Sequence, residues 1–173
     1  MRGLLVATAL ALYASRGAEA SCVADLQGKD ASALVASMSS DEEWLSKGVG
    51  CYSEDPEGYP DRCDWETEIV KDSRLSNGRR LIELTSDHKT GSGNWHSIHI
   101  YGCVADRPRA LFRGSWLYGA SVEAITDSQV VVIHGAWKDG DPQCCPSERA
   151  TEVFVWDAAR GEYLHGSSTR MGP

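Results

Sequence analysis

Two adjacent cysteines held between prolines, in Asp141-Pro142-Gln143-Cys144-Cys145-Pro146-Ser147, separate two strongly β-forming runs at residues 129–137 and 151–156. Adjacent Cα atoms lie about 3.8 Å apart across a trans peptide, whereas disulfides ordinarily want roughly 4.4 to 6.8 Å. A bond between Cys144 and Cys145 is therefore expected to be strained. Each proline disfavours helix in the residue before it, which holds Asp141 and Cys145 extended. The loop is stiff before any sulfur is joined and presents its thiols in one geometry.

The start of the chain sets the compartment. Arg2, an apolar run over residues 4–13 and Ala18-Glu19-Ala20 form a leader that a signal peptidase would cut before Ser21. Residues 1–20 are accordingly read as a signal peptide and residues 21–173 as a single exported domain, periplasmic or secreted. The apolar run falls short of the roughly 20 residues that span a bilayer, and no later run approaches that length, so no transmembrane segment is expected. Cys22 follows the leader closely, but Glu19-Ala20-Ser21 places a carboxylate where a lipidation signal wants an aliphatic side chain, which argues against a lipid anchor.

The whole chain carries a formal charge of −8, and loss of Arg2, Arg16 and Glu19 with the leader makes it more negative. Such a balance repels phosphate backbones and excludes nucleic acid as the natural partner; a cationic partner, or plain solubility, fits better. The expected partner is accordingly an envelope or extracellular one. All six cysteines lie beyond the leader, and an even set in an exported chain reads as disulfides. Cys51 and Cys63 close a short polar loop and are the easiest local pair. Two solutions remain for the others: Cys22 with Cys103 plus a vicinal Cys144–Cys145 bond, the preferred one, or Cys22 and Cys103 each taking one member of the adjacent pair.

Residues 30–48 have a helical pattern, with Leu34, Val35 and Met38 on one stripe, the capping box Ser40-Asp41-Glu42-Glu43 before Trp44 and Leu45, and Gly48 as the stop. That segment has too little apolar surface to stand alone and should pack on the sheet that follows. The remainder reads as strands. Trp65, Thr67 and Ile69 alternate with Glu66 and Glu68, Asn77-Gly78 is a hairpin signal, and residues 81–85 return. Further strands are expected at residues 95–103, 110–112, 121–126, 129–137, 151–156 and 162–165. The fold class is thus α+β: a short N-terminal helical segment packed on a mainly antiparallel sheet of about seven or eight strands, stabilised by disulfides.

Gly-x-Trp recurs at a constant interval of 21 residues, as Gly93-Asn94-Trp95, Gly114-Ser115-Trp116 and Gly135-Ala136-Trp137. The interval fits strand-and-return spacing in a meander better than a solenoid, which needs several clear copies. Most of the six tryptophans are expected in or half in the core, since aromatics usually serve packing. A row of them on an open face would instead make a carbohydrate platform.

Catalytic and metal chemistry find little support. His96 and His99 resemble a metal pair, but three residues apart on a strand they point to opposite faces. His88, His134 and His165 have no spacing that brings them together. The acidic run of Glu54, Asp55, Glu57, Asp61, Asp64, Glu66 and Glu68 lacks the alternate-residue ligand spacing of a calcium loop and reads as a solvated surface. Ser86-Asp87-His88-Lys89 and Lys89-Thr90-Gly91 mimic two elements of penicillin-recognising enzymes yet share one lysine where those enzymes need two. Neither Gly-x-Ser-x-Gly, a phosphate loop, a dinucleotide fingerprint nor a zinc Cys-x-x-Cys occurs. No catalytic, cofactor-binding or metal residue is therefore assigned.

The stretch over residues 119–156, with Val130-Val131-Val132-Ile133, the double-cysteine loop and Val153-Phe154-Val155-Trp156, resembles exported bacterial proteins of the LppP/LprE lipoprotein type. Their shared mark is an Asp-Pro-x-Cys-Cys-Pro-Ser/Thr loop between strands, carried here by Asp141, Pro142, Cys144, Cys145, Pro146 and Ser147. The resemblance implies a small envelope protein without an assigned activity. This chain departs from it in lacking a lipobox and in carrying four further cysteines. The expected function is a non-catalytic binding or structural module of the cell envelope; the alternative is a thiol redox protein in which Cys144 and Cys145 cycle between dithiol and disulfide.

Overall fold

A computed structural model of the chain describes residues 19–38, 50–52, 65–88, 94–142 and 144–172. Helix α1 covers residues 19–28 and α2 is Ala31–Met38. Asp30 caps α2, its Oδ1 accepting the Ala33 N–H at 3.0 Å. The helix expected over residues 30–48 is described only as far as Met38; its second half, including Trp44 and Leu45, lies outside the described residues. Helix α1 is not expected from the sequence, where Cys22, Val23 and Leu26 are the only strongly apolar residues between the leader and Gly28. Among the described residues no helix is long and apolar enough to cross a membrane.

The strands are β1 (Gly50–Tyr52), β2 (Trp65–Arg74), β3 (Arg80–His88), β4 (Trp95–Val104), β5 (Arg107–Tyr118), β6 (Ser121–Ile125), β7 (Gln129–Ala136), β8 (Glu148–Asp157) and β9 (Glu162–Met171). Every pairing is antiparallel and every neighbour sequential. The α+β class and the helical cover hold, but the strands divide into two sheets, β1-β2-β3-β4-β5 and β6-β7-β8-β9, rather than one. The physical reason lies in β4 and β7. Ile98 and Ile100 form an apolar face on one side of β4, Val130 and Val132 form another on β7, and folding one sheet over the other buries both.

The five-stranded sheet is thus the middle layer. On one side Leu81, Ile98, Ile100, Leu111 and Phe112 meet Val130, Val132 and Tyr163 of the second sheet. On the other, Ile82, Leu84 and Tyr101 meet Leu26 of α1 and Leu34 and Val35 of α2. The Cys22–Cys103 disulfide, with Cα atoms 6.2 Å apart, ties α1 to β4 across this second interface. The Cys51–Cys63 pairing lies outside the described residues.

Turn chemistry explains which hairpins were legible. Gly78 takes φ +78° in the Asn77-Gly78 turn, as that dipeptide leads one to expect. Between β4 and β5 the same left-handed geometry falls on Ala105 at φ +49° and Asp106 at φ +60°, a pair without the glycine that marks a tight turn, although aspartate tolerates this region. This is why β5, twelve residues long, was expected only at residues 110–112.

Arg80 joins the middle sheet to the helices. Only 2% exposed, it grips Asp72 with two bonds of 2.7 Å, while Nη1 donates to the carbonyls of Leu26 at 3.0 Å and Lys29 at 2.6 Å. A guanidinium here satisfies carbonyls that the end of α1 leaves without intrahelical partners. Substitution Arg80→Met should destabilise the fold by about 3 kcal/mol, since it strands these acceptors and a partly buried carboxylate. Urea denaturation checks this, and a loss below about 1 kcal/mol contradicts it.

His99 is fully buried on the helix side of β4, stacked 6.0 Å from Tyr101, with no hydrogen-bond partner for either ring nitrogen among the described residues. Burial, aided by the nearby Arg113 charge, lowers its pKa from 6.5 to about 4. The unfolded chain therefore binds a proton that the folded one refuses between these values. Stability from the neutral ring is present above pH 6.5 and is lost as pH falls toward 4, by up to about 3 kcal/mol. The variant His99→Leu should show a shallower loss of stability across that window than the parent chain. Parallel acid limbs in chemical denaturation would overturn the assignment.

Candidate functional site

The loop that leaves β7 and enters β8 is built around one carboxylate. Asp141 Oδ2 accepts the N–H groups of Lys138 and Ser147, each at 2.8 Å, and the Ser147 hydroxyl at 3.0 Å. Asp141 N–H donates back to the Lys138 carbonyl at 3.0 Å. Backbone donation from Lys138 and Ser147 holds this exposed carboxyl below its ordinary pKa. Inside the ring so formed, Cys145 N–H donates to Pro142 O at 3.0 Å, and the Trp137 indole donates to the same carbonyl at 3.2 Å. The prolines stiffen this loop less than Asp141 organises it.

Cys144 and Cys145 are joined to each other, with Cα atoms 3.8 Å apart, so the vicinal solution holds together with Cys22–Cys103. Cys145 is exposed and Cys144 half-buried. The following Pro146 seats the loop on β7: a Cβ at Gly135 would lie 2.5 Å from Pro146 Cγ and 3.2 Å from Tyr118 Cδ1. Glycine at 135 is thus required by close approach of the loop and β5.

The three tryptophans of the Gly-x-Trp series converge beside this loop. Trp95 stacks on Trp137 with centroids 5.5 Å apart and planes 17° from parallel, and meets Trp116 edge-on at 5.8 Å. Tyr118 fills the remaining side, 5.5 Å from Trp95 and 5.3 Å from Trp137. The 21-residue interval therefore brings residues from β4, β5 and the end of β7 together across two sheets, which a simple meander does not do. The rings pack on one another rather than forming an open row.

Trp116 is the outward member, 39% exposed, and its φ of +56° is left-handed. A register shift against β4 between His96 and Ile98, opposite residues 114–117, creates that conformation. A bulky aromatic in this region costs on the order of 1–3 kcal/mol and persists only where its surroundings impose it. Here the packed face of Trp95 supplies the constraint.

His96 and His99 lie on opposite faces of β4, as their spacing implies; His96 Nε2 pairs with Asn94 Oδ1 at 2.8 Å. The reading that His134 and His165 stay apart is corrected. Glu152 of β8 receives His165 Nε2 at 2.6 Å and the Ser168 hydroxyl at 2.8 Å, with His134 Nε2 at 3.7 Å. Antiparallel pairing of β7, β8 and β9 sets the three strands side by side, a non-local match invisible to spacing along the chain. Burial raises the Glu152 pKa, but donation from Ser168 and His165 outweighs it and leaves the carboxyl below its usual value.

This cluster does not align a nucleophile on a base, since Ser168 donates to Glu152 rather than to a histidine. No group of three metal-ligating side chains is placed to hold an ion among the described residues. Ser86 is buried and bonded to Thr67 at 3.1 Å, so it is no exposed nucleophile; residues 89–91 lie outside the described residues. Of the acidic run, residues 54–64 also lie outside, while Glu66 and Glu68 are exposed on β2. His88 is on β3, but its side chain is not among those described. Compared with known proteins, the chain matches no family model, no curated protein and no solved structure.

Proposed function

We propose that this chain is a non-catalytic exported binding module whose contact surface is the aromatic end of the sandwich together with the Cys144–Cys145 loop. The observation that carries the reading is Trp116: an exposed indole fixed in a costly backbone conformation by a packed aromatic cluster. Rigid, partly exposed tryptophans are the side chains that most often dominate binding energy. The Asp141-tied loop beside it presents a fixed, uncharged disulfide surface. Support for export comes from the leader-like start, the disulfides and the likeness of the double-cysteine loop to LppP/LprE-type envelope proteins. The acidic chain favours a partner that is neutral or cationic where it meets this end.

Substitution Trp116→Ala should weaken retention on isolated, washed bacterial envelope material by about 30-fold or more, the effect of a hot-spot residue, while lowering stability only by the roughly 1 kcal/mol of its edge contact with Trp95. Unaltered retention removes Trp116 as the contact. Asp141→Ala should red-shift tryptophan emission and speed hydrogen exchange at Lys138, Cys145 and Ser147, whereas Asp141→Asn, which keeps an acceptor, should do less. Because the folded carboxyl titrates below its ordinary value, the loop stays ordered above that value and loosens only as pH falls through the depressed one.

The second reading is a redox switch, favoured by the exposure of Cys145. In it a dithiol partner donates two electrons and two protons to the Cys144–Cys145 bond and leaves as a disulfide. Graded reduction followed by peptide mapping separates the readings. Selective opening of Cys144–Cys145 with rapid exchange favours the switch; bonds that stay closed until the protein unfolds favour the static surface.

A further inference from the structure

Sheet edges distinguish one side of this molecule from the other. The described lengths of β1 and β6, which close one end of each sheet order, are three and five residues. Short edge strands of this kind are a common protection against unwanted strand pairing. At the opposite ends stand β5 and β9, twelve and ten residues long. Neither has a second strand partner among the described residues.

These two long edges flank one groove of about 570 Å3. Its lining includes every residue from 108 to 113 of β5 and every residue from 162 to 165 of β9. Side chains alternate across a strand, so a surface touching one face meets every second residue. An unbroken run lines a groove where the backbone edge is itself the wall. That wall is broken by a bulge at Leu111 and has no N–H at Pro108, but on either side of the bulge it offers N–H and C=O groups that an extended chain can pair with.

The chemistry of the groove is unlike that of the whole chain. Arg109 and Arg113 line it against the single carboxylate of Glu162, while His165 turns its Nε2 to Glu152, in a protein of formal charge −8. Phe112 and Phe154, 4.5 Å apart, add apolar surface to its lining. Its volume is within the roughly 300–1,000 Å3 of ordinary binding pockets, and residues 108–113 match a short extended segment at about 3.3 Å per residue.

We propose that this groove binds an extended acidic segment of a partner protein, which adds to β5 as a sixth strand of the middle sheet. Backbone pairing to β5 holds the segment. Its carboxylates meet Arg109 and Arg113, and its alternate apolar side chains turn toward Phe112 and Phe154. The site is separate from the aromatic end and does not depend on Trp116.

The test uses the full disulfide-bonded chain and five probes: acetyl-(Glu-Val)3-amide, its Lys-Val counterpart, two forms of the acidic peptide N-methylated at alternate residues in one or the other register, and benzoate. Titration calorimetry should show the acidic peptide binding at least tenfold more tightly than the lysine peptide. Amides within residues 109–113 should gain hydrogen-exchange protection, and N-methylation in one register should abolish binding while the other spares it. Arg109→Glu should reverse the charge preference. The proposal is overturned if no peptide binds, if binding survives N-methylation in both registers, if benzoate alone occupies the groove, or if the edges are already closed by a second copy of the chain. The N-methylated probes leave the protein unaltered, so a misfolded variant cannot produce the decisive result.

Discussion

Strand β4 has apolar neighbours on both faces, and most of the architecture follows from that burial. Residues 97–102 are all buried, which an antiparallel strand with one wet face does not show. Ile98 and Ile100 demand a second sheet, while Tyr101 and the strand beside it demand helices. Each layer alone has too little apolar surface to fold; the middle sheet supplies the missing face to both. Arg80 and the Cys22–Cys103 bond then act at the same boundary, one by satisfying carbonyls at the end of α1, the other by linking α1 to β4. The helices are held by polar and covalent ties as much as by burial, because Leu26, Leu34 and Val35 form a small interface.

The same middle sheet sets the aromatic end. Trp95 is the first residue of β4 and Trp116 and Tyr118 end β5, so the hairpin delivers three rings to one corner. The second sheet adds Trp137 as β7 ends, and Pro146 seats the following loop against Gly135. The loop owes its shape to Asp141, whose carboxylate gathers donors from both of its ends. Rigidity here is assembled from short-range hydrogen bonds and ring packing, away from the main core, which leaves the outer indole and Cys145 exposed without loosening them.

Local patterns made most of the strands, the Asn77-Gly78 turn and the helical stripe of Leu34 and Val35 legible, because those features depend on neighbours in the chain. Three things were not. The division into two sheets depends on which apolar faces meet, and Val130-Val131-Val132-Ile133 reads the same in either arrangement. The β4–β5 turn uses Ala105 and Asp106 in left-handed conformations with no glycine to mark them, and alanine gives no sign of its own. The gathering of His134 and His165 on Glu152 depends on strand register. The Gly-x-Trp interval was visible, but its meaning was not: equal spacing placed the three tryptophans at corresponding strand ends, and only tertiary packing turned that into a cluster.

The two described disulfides serve different physical ends. Cys22–Cys103 spans 81 residues and removes a large loop's freedom from the unfolded chain, worth about 4.5 kcal/mol on a chain-entropy account. Cys144–Cys145 joins neighbours and closes almost no loop, so the same account assigns it little global stability. Its contribution must be local. It replaces two thiols, which are weak donors and titratable, with one fixed apolar surface next to the aromatic cluster. A loop whose ends are already tied by Asp141 does not need the bond to keep its path; the bond alters what the loop presents. That favours a role in contact or exchange at this end over one in holding the fold together.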